Sequence, residues 1–66
     1  MTEPTEMIDW LDRRIASANL WLEDHGREAK KPRPENEIAI KEYDVARFEE
    51  IRAAYVKALE RRSAAA

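Results

Sequence analysis

GREAKKPRPENE, residues 26–37, holds the only glycine of this 66-residue chain, two of its three prolines and four of its twelve lysines and arginines. No regular element accommodates such a run. Glycine ends helices, and each Lys-Pro or Arg-Pro step pushes the residue before proline out of the helical region. The segment therefore reads as a helix stop, a stiff reversal and a helix restart. What lies on either side decides the fold.

Before it, apolar residues recur as Ile8, Leu11, Ile15, Ala18 and Leu22, in steps of three and four, the seam of a helix that packs on another helix. Met7, Trp10 and Trp21 fall beside this stripe at about 100° per residue, and Leu20 falls across from it. The two tryptophans are eleven residues apart and so lie almost in line. Pro4 suits a first turn, Thr2 or Thr5 is the expected cap, and Asp9 stands four residues before Arg13. His25-Gly26 supplies the stop, with glycine expected in the left-handed conformation.

After it, Ile38, Lys41, Val45, Phe48, Arg52, Tyr55 and Leu59 repeat the same steps, flanked by Ile51 and Val56. Glu37 and Lys41 form a favourable i,i+4 pair. Lys41 and Arg52 sit in the seam, where the stem packs and the charged head reaches water or a neighbouring carboxylate. A sharper alternative has Arg52 pairing with an acid of the first helix and setting the register. Neither segment shows sustained period-2 alternation, and both exceed ordinary strand length.

The expected fold is all-α: an antiparallel two-helix hairpin forming a single domain over 1–66. The first helix covers about 5–25, the basic connector 26–34, the second helix about 35–62, and 63–66 form a frayed end. The longer second helix is expected to overhang near Tyr55–Arg62, leaving Tyr55, Val56 and Leu59 partly covered.

Size then limits function. A chain this short draws only about 3–5 kcal/mol from one core. With no cysteine it has no disulfide, thiolate metal site or thiol chemistry. One partner helix cannot cover the whole apolar face of the first. Two tryptophans left in water would forfeit several kcal/mol at about 25 cal/mol per Å². The expectation is self-association, a homodimer or larger, with two coiled-coil-like hairpins making a four-helix bundle and the tryptophans near the dyad. Trp10, Trp21, Ile15, Leu22, Phe48, Tyr55 and Leu59 are the candidate self-association or partner residues. A larger protein partner could cover the same face.

Hydrophobic residues make up 44% of the chain, too many for simple disorder, and the net charge is only −2. The charge is uneven, however. Glu6, Asp9, Asp12, Glu23 and Asp24 outnumber Arg13 and Arg14 before the connector, whereas Arg27, Lys30, Lys31 and Arg33 outnumber Glu28 within it. These four cations are the candidate contact for an anion, a nucleotide or nucleic acid, the alternative functional reading. Such binding would weaken steeply with salt. Acidic flanking helices and the lack of interleaved aromatics argue against it.

Catalysis, cofactors and metals find no support. The single histidine, His25, has no zinc-ligand spacing around it. Glu6, Asp9 and Asp12 align as a solvated helix face rather than a desolvated acid–base pair. One glycine cannot build a phosphate loop. There is no signal-peptide pattern and no run of about 20 apolar residues, so a cytoplasmic location without membrane binding is expected. The overall expectation is a small acidic, non-enzymatic interaction protein: an adaptor, an inhibitor or an assembly component.

Overall fold

The computed structural model describes residues 2–65; Met1 and Ala66 lie outside them. Two helices, α1 (Pro4–His25) and α2 (Glu35–Ala65), account for the regular structure, with no strand among the described residues. They pack against each other along their length in a rod measuring 51 × 20 × 15 Å. The connector is 26–34, as its composition indicates.

Ion pairs fix the antiparallel register. Arg52 Nε donates to Asp12 Oδ1 at 2.6 Å, and Arg62 Nη1 to Glu3 Oε2 at 3.3 Å. Arg52 thus follows the sharper reading, with its head bonded to an acid of α1. This register corrects the expected overhang. Glu35–Ile38 is level with the connector, so α2's extra length is divided between the two ends of the rod. Ile38 is buried there, while Tyr55, Val56 and Leu59 are half-buried alongside the start of α1. Only about the last turn of α2 projects. That turn continues to Ala65, past the expected end at Arg62, because serine and alanine impose no stop.

The seam follows the three-and-four rhythm. Leu11, Ala18 and Ile38 are the buried core of the described residues. Ile8, Ile15, Leu22, Lys41, Val45, Phe48, Arg52, Tyr55 and Leu59 are half-buried. Three residues make a thin core. Burying one row per helix leaves most of each helix wet, as expected when only two cylinders meet.

The helix ends depart from expectation in detail. The cap of α1 is Glu3, with Pro4 opening the helix, and no side-chain cap bond forms; neither Thr2 nor Thr5 plays that part. Glu3's carboxylate goes to Arg62 instead, and its carbonyl accepts the Met7 N–H at 3.0 Å. Gly26 is not left-handed: φ is −82° and ψ −166°, with its N–H bonded to the Leu22 carbonyl at 2.8 Å. Glycine is needed there for space, since a Cβ would run into that same carbonyl oxygen.

The connector is then clipped shut. Arg33 N–H donates to the His25 carbonyl at 2.9 Å, and Ala29 N–H to the Gly26 carbonyl at 3.1 Å. The Pro34 carbonyl receives the Glu37 and Ile38 N–H groups and starts α2.

Candidate interaction surface

Two helices side by side expose two broad faces, and here their chemistry differs. At about 100° per residue, Trp10 and Trp21 lie about 100–120° round α1 from its seam, and Ile40 and Ile51 about 90–110° round α2 from its own. Both rotations run in the same sense on antiparallel helices, which puts both sets on one side, and contacts tie the tryptophans to α2 there. The Trp10 ring meets Phe48 edge-on, with centroids 6.0 Å apart and planes at 84°. Lys41 Nζ stands 5.6 Å from the Trp21 ring centre. Between these contacts lies a shallow notch lined by Arg14, Ser17, Ala18, Lys41, Asp44 and Phe48.

On this aromatic face the cations sit over rings, Arg14 over Trp10 at 5.1 Å and Lys41 over Trp21, while Arg47 covers Tyr43 at 4.0 Å toward the back of α2. The His25 ring lies tilted beside Trp21, with centroids 5.4 Å apart and planes at 56°. Lys41 therefore does not pair with Glu37. That acid takes Arg33 from the connector, at 3.1 and 3.2 Å. Nor is Asp9–Arg13 among the ion pairs of the described residues.

The opposite face carries Asp12, Glu23, Glu42, Glu49 and Glu60. Arg27 reaches into it from the connector. Its guanidinium bonds Glu35 at 2.6 Å and grips Glu42 through Nε and Nη2 at 3.1 and 2.9 Å. Those bonds to Glu42 and then Glu35 hold the Arg27 proton more tightly than usual, and the Arg27 bond holds the Glu42 carboxyl below its ordinary range against a small desolvation effect. Arg27 and Glu42 are each about half exposed, so salt screens this latch.

The basic connector is accordingly less available than its composition implies. Arg27 and Arg33 are committed to Glu35, Glu42 and Glu37, while Lys30 and Lys31 are exposed without an ion-pair partner among the described residues. Two of the four cations, Arg27 and Arg33, tie the turn back onto the acids of α2.

Of the seven residues singled out for association, Trp10, Trp21, Phe48 and Tyr55 contribute to the aromatic face. Ile15, Leu22 and Leu59 line the seam between the helices. Sequence reading passed over Ile40 and Tyr43 and took Ile51 only as a seam flank. Yet Ile40 is 60% exposed, Tyr43 59%, and Ile51 and Trp10 44% each, with Leu20 alone on the back of α1 at 60%. One signal was there to be used: Ile40 and Ile51 are eleven residues apart, like the tryptophans.

No three Asp, Glu or His side chains converge as a metal ion would require, among the described residues. No helix there is long and apolar enough to cross a membrane. No protein-family model, curated protein or solved structure matches this chain. The functional reading therefore rests on the residues themselves.

Proposed function

We propose that this protein is a non-enzymatic protein–protein interaction module that works as a self-associated hairpin, a homodimer or larger, with four helices bundled around the aromatic face. Within a cell it would act as an adaptor, an inhibitor or an assembly component. The cytoplasm is the setting that a cysteine-free composition suits.

One observation carries this reading: the buried core of the described residues is Leu11, Ala18 and Ile38, whereas Trp10, Ile40 and Ile51 on one face are 44–60% exposed. At about 25 cal/mol per Å², the parts of Trp10, Ile40 and Ile51 still in water are together worth a few kcal/mol once covered. For a chain drawing about 3–5 kcal/mol from its own core, covering that face is as large a term as folding. Rings already held by Phe48 and by stacked cations are also preorganised, which lowers the ordering cost of contact.

The alternative, a nucleotide- or nucleic-acid-binding connector, draws support from Lys30 and Lys31 alone, since Arg27 and Arg33 already hold carboxylates.

Thermal melting at increasing protein concentration tests the reading. An associated fold gains stability by mass action, so its midpoint rises with concentration. A cooperative transition with one midpoint from micromolar to millimolar chain would reject it.

A further inference from the structure

The aromatic face carries a pattern that specifies how a second copy would sit. Trp10 and Trp21 on α1 are eleven residues apart, and so are Ile40 and Ile51 on α2. Eleven residues close almost three turns, so each pair is aligned along its helix, about 16 Å apart. The Asp12–Arg52 and Glu3–Arg62 pairs set Trp10 near the level of Ile51 and Trp21 near that of Ile40. Each tryptophan is offset from its isoleucine by about three residues, roughly 4.5 Å, in the same direction. The four side chains thus mark the corners of a skewed rectangle.

We infer that the partner of this face is a second copy whose two-fold axis runs parallel to the helices, so that the Trp10/Trp21 ridge of each α1 lies along the Ile40/Ile51 ridge of the partner's α2. The arrangement rests on the self-association proposed above.

Three features select it. A parallel axis preserves level, so both Trp–Ile contacts form together, staggered by the same offset, as interlocking side chains require. An axis across the helices would instead stack α1 on α1 and α2 on α2. The Trp pair and the Ile pair are then centred about 4.5 Å apart, and no single axis position serves both. Unpaired charge separates the two faces as well. In the central notch Asp44 is the one carboxylate, beside Arg14 and Lys41, and it holds no ion pair among the described residues. The opposite face would bring Glu23, Glu49 and Glu60, which hold no ion pair among the described residues, toward the same acids of a second copy, and such like-charge contacts repel.

The chain has no cysteine, which allows a clean test by single thiols. Ser17 and Arg47 are both exposed and lie at the same level of the hairpin. Under the parallel axis, Ser17 of one copy adjoins the partner's Arg47. Ser17→Cys and Arg47→Cys chains, mixed and mildly oxidised, should give the mixed disulfide roughly tenfold in excess over either chain alone, because only that pair comes within disulfide reach. Mass spectrometry distinguishes the mixed product from the two homodimers.

If Ser17→Cys alone cross-links as readily as the mixture, the axis runs across the helices and the arrangement is wrong. A light-scattering mass of 7.7 kDa for the same unoxidised samples would overturn the self-association beneath it. A mass of twice that value without the mixed disulfide would overturn the arrangement and leave the association standing.

Discussion

The two broad faces of this hairpin share one backbone and solve opposite problems. On the acidic face some of the charges find partners within the chain: Asp12 with Arg52, and Glu42, with Glu35 of the α2 start, with Arg27. On the aromatic face the rings find only half a partner. Trp10 has Phe48 against its edge and Arg14 over its plane, yet 44% of it remains in water. A surface pair such as Asp12–Arg52 contributes about 0–1 kcal/mol, enough to choose a register but too little to hold a fold. Apolar area contributes several times more per residue once covered. The difference teaches that the face with the most visible bonds is the finished one. The face with the fewest is where a partner has most to add.

Two variants sharpen this contrast from within the chain, beginning with the larger effect. Leu11 is the most buried side chain and supports both faces from between them. Leu11→Ala should cost about 2–5 kcal/mol and lower the melting midpoint by roughly 10 °C or more in circular dichroism. A midpoint that barely moves would mean that the seam is not what joins the faces.

Glu42→Gln should produce the smallest change, and only on the acidic side. The Arg27 bond lowers the Glu42 pKa in the folded chain. The stability linked to this group is therefore present in full above its unfolded value. It is lost as pH falls through the lowered folded value. Melts from neutral to acid pH should show wild type losing this contribution and the variant, already without it, falling less. Equal slopes would indicate that the latch does not form in solution.

Much of this architecture was legible in the chain. Steps of three and four from Ile8 to Leu22 and from Ile38 to Leu59 identify the residues that fill the seam, because helical periodicity is a local property. The connector's bounds follow from proline and glycine chemistry for the same reason. Relations between segments were not legible in this way. Arg27 and Glu42 are fifteen residues apart, and only the reversal brings them together. That meeting removes Arg27 from the basic cluster that composition advertises, and the local Arg33–Glu37 pair removes a second cation.

Gly26 was read for left-handed backbone but is needed for its missing Cβ beside Leu22, a steric fact that sequence does not display. The overhang was misjudged because helix lengths do not say how extra length is shared between the ends. Ile40 went unread and Ile51 was read only as a seam flank because each lies off its own seam, and their alignment with the tryptophans appears only once the register is known.

Solution mass measured by light scattering on three chains tests the central claim most directly: wild type, Ile40→Lys/Ile51→Lys, and Glu49→Lys/Glu60→Lys. The second pair spans the same eleven residues on the acidic face, so it controls for charge placed on α2. Wild type and the glutamate variant should give twice 7.7 kDa or a higher multiple, and the isoleucine variant 7.7 kDa with its helices retained. An isoleucine variant that keeps the wild-type mass, or a wild type that is itself a stable 7.7 kDa monomer, would contradict the claim that this face is built for a second copy.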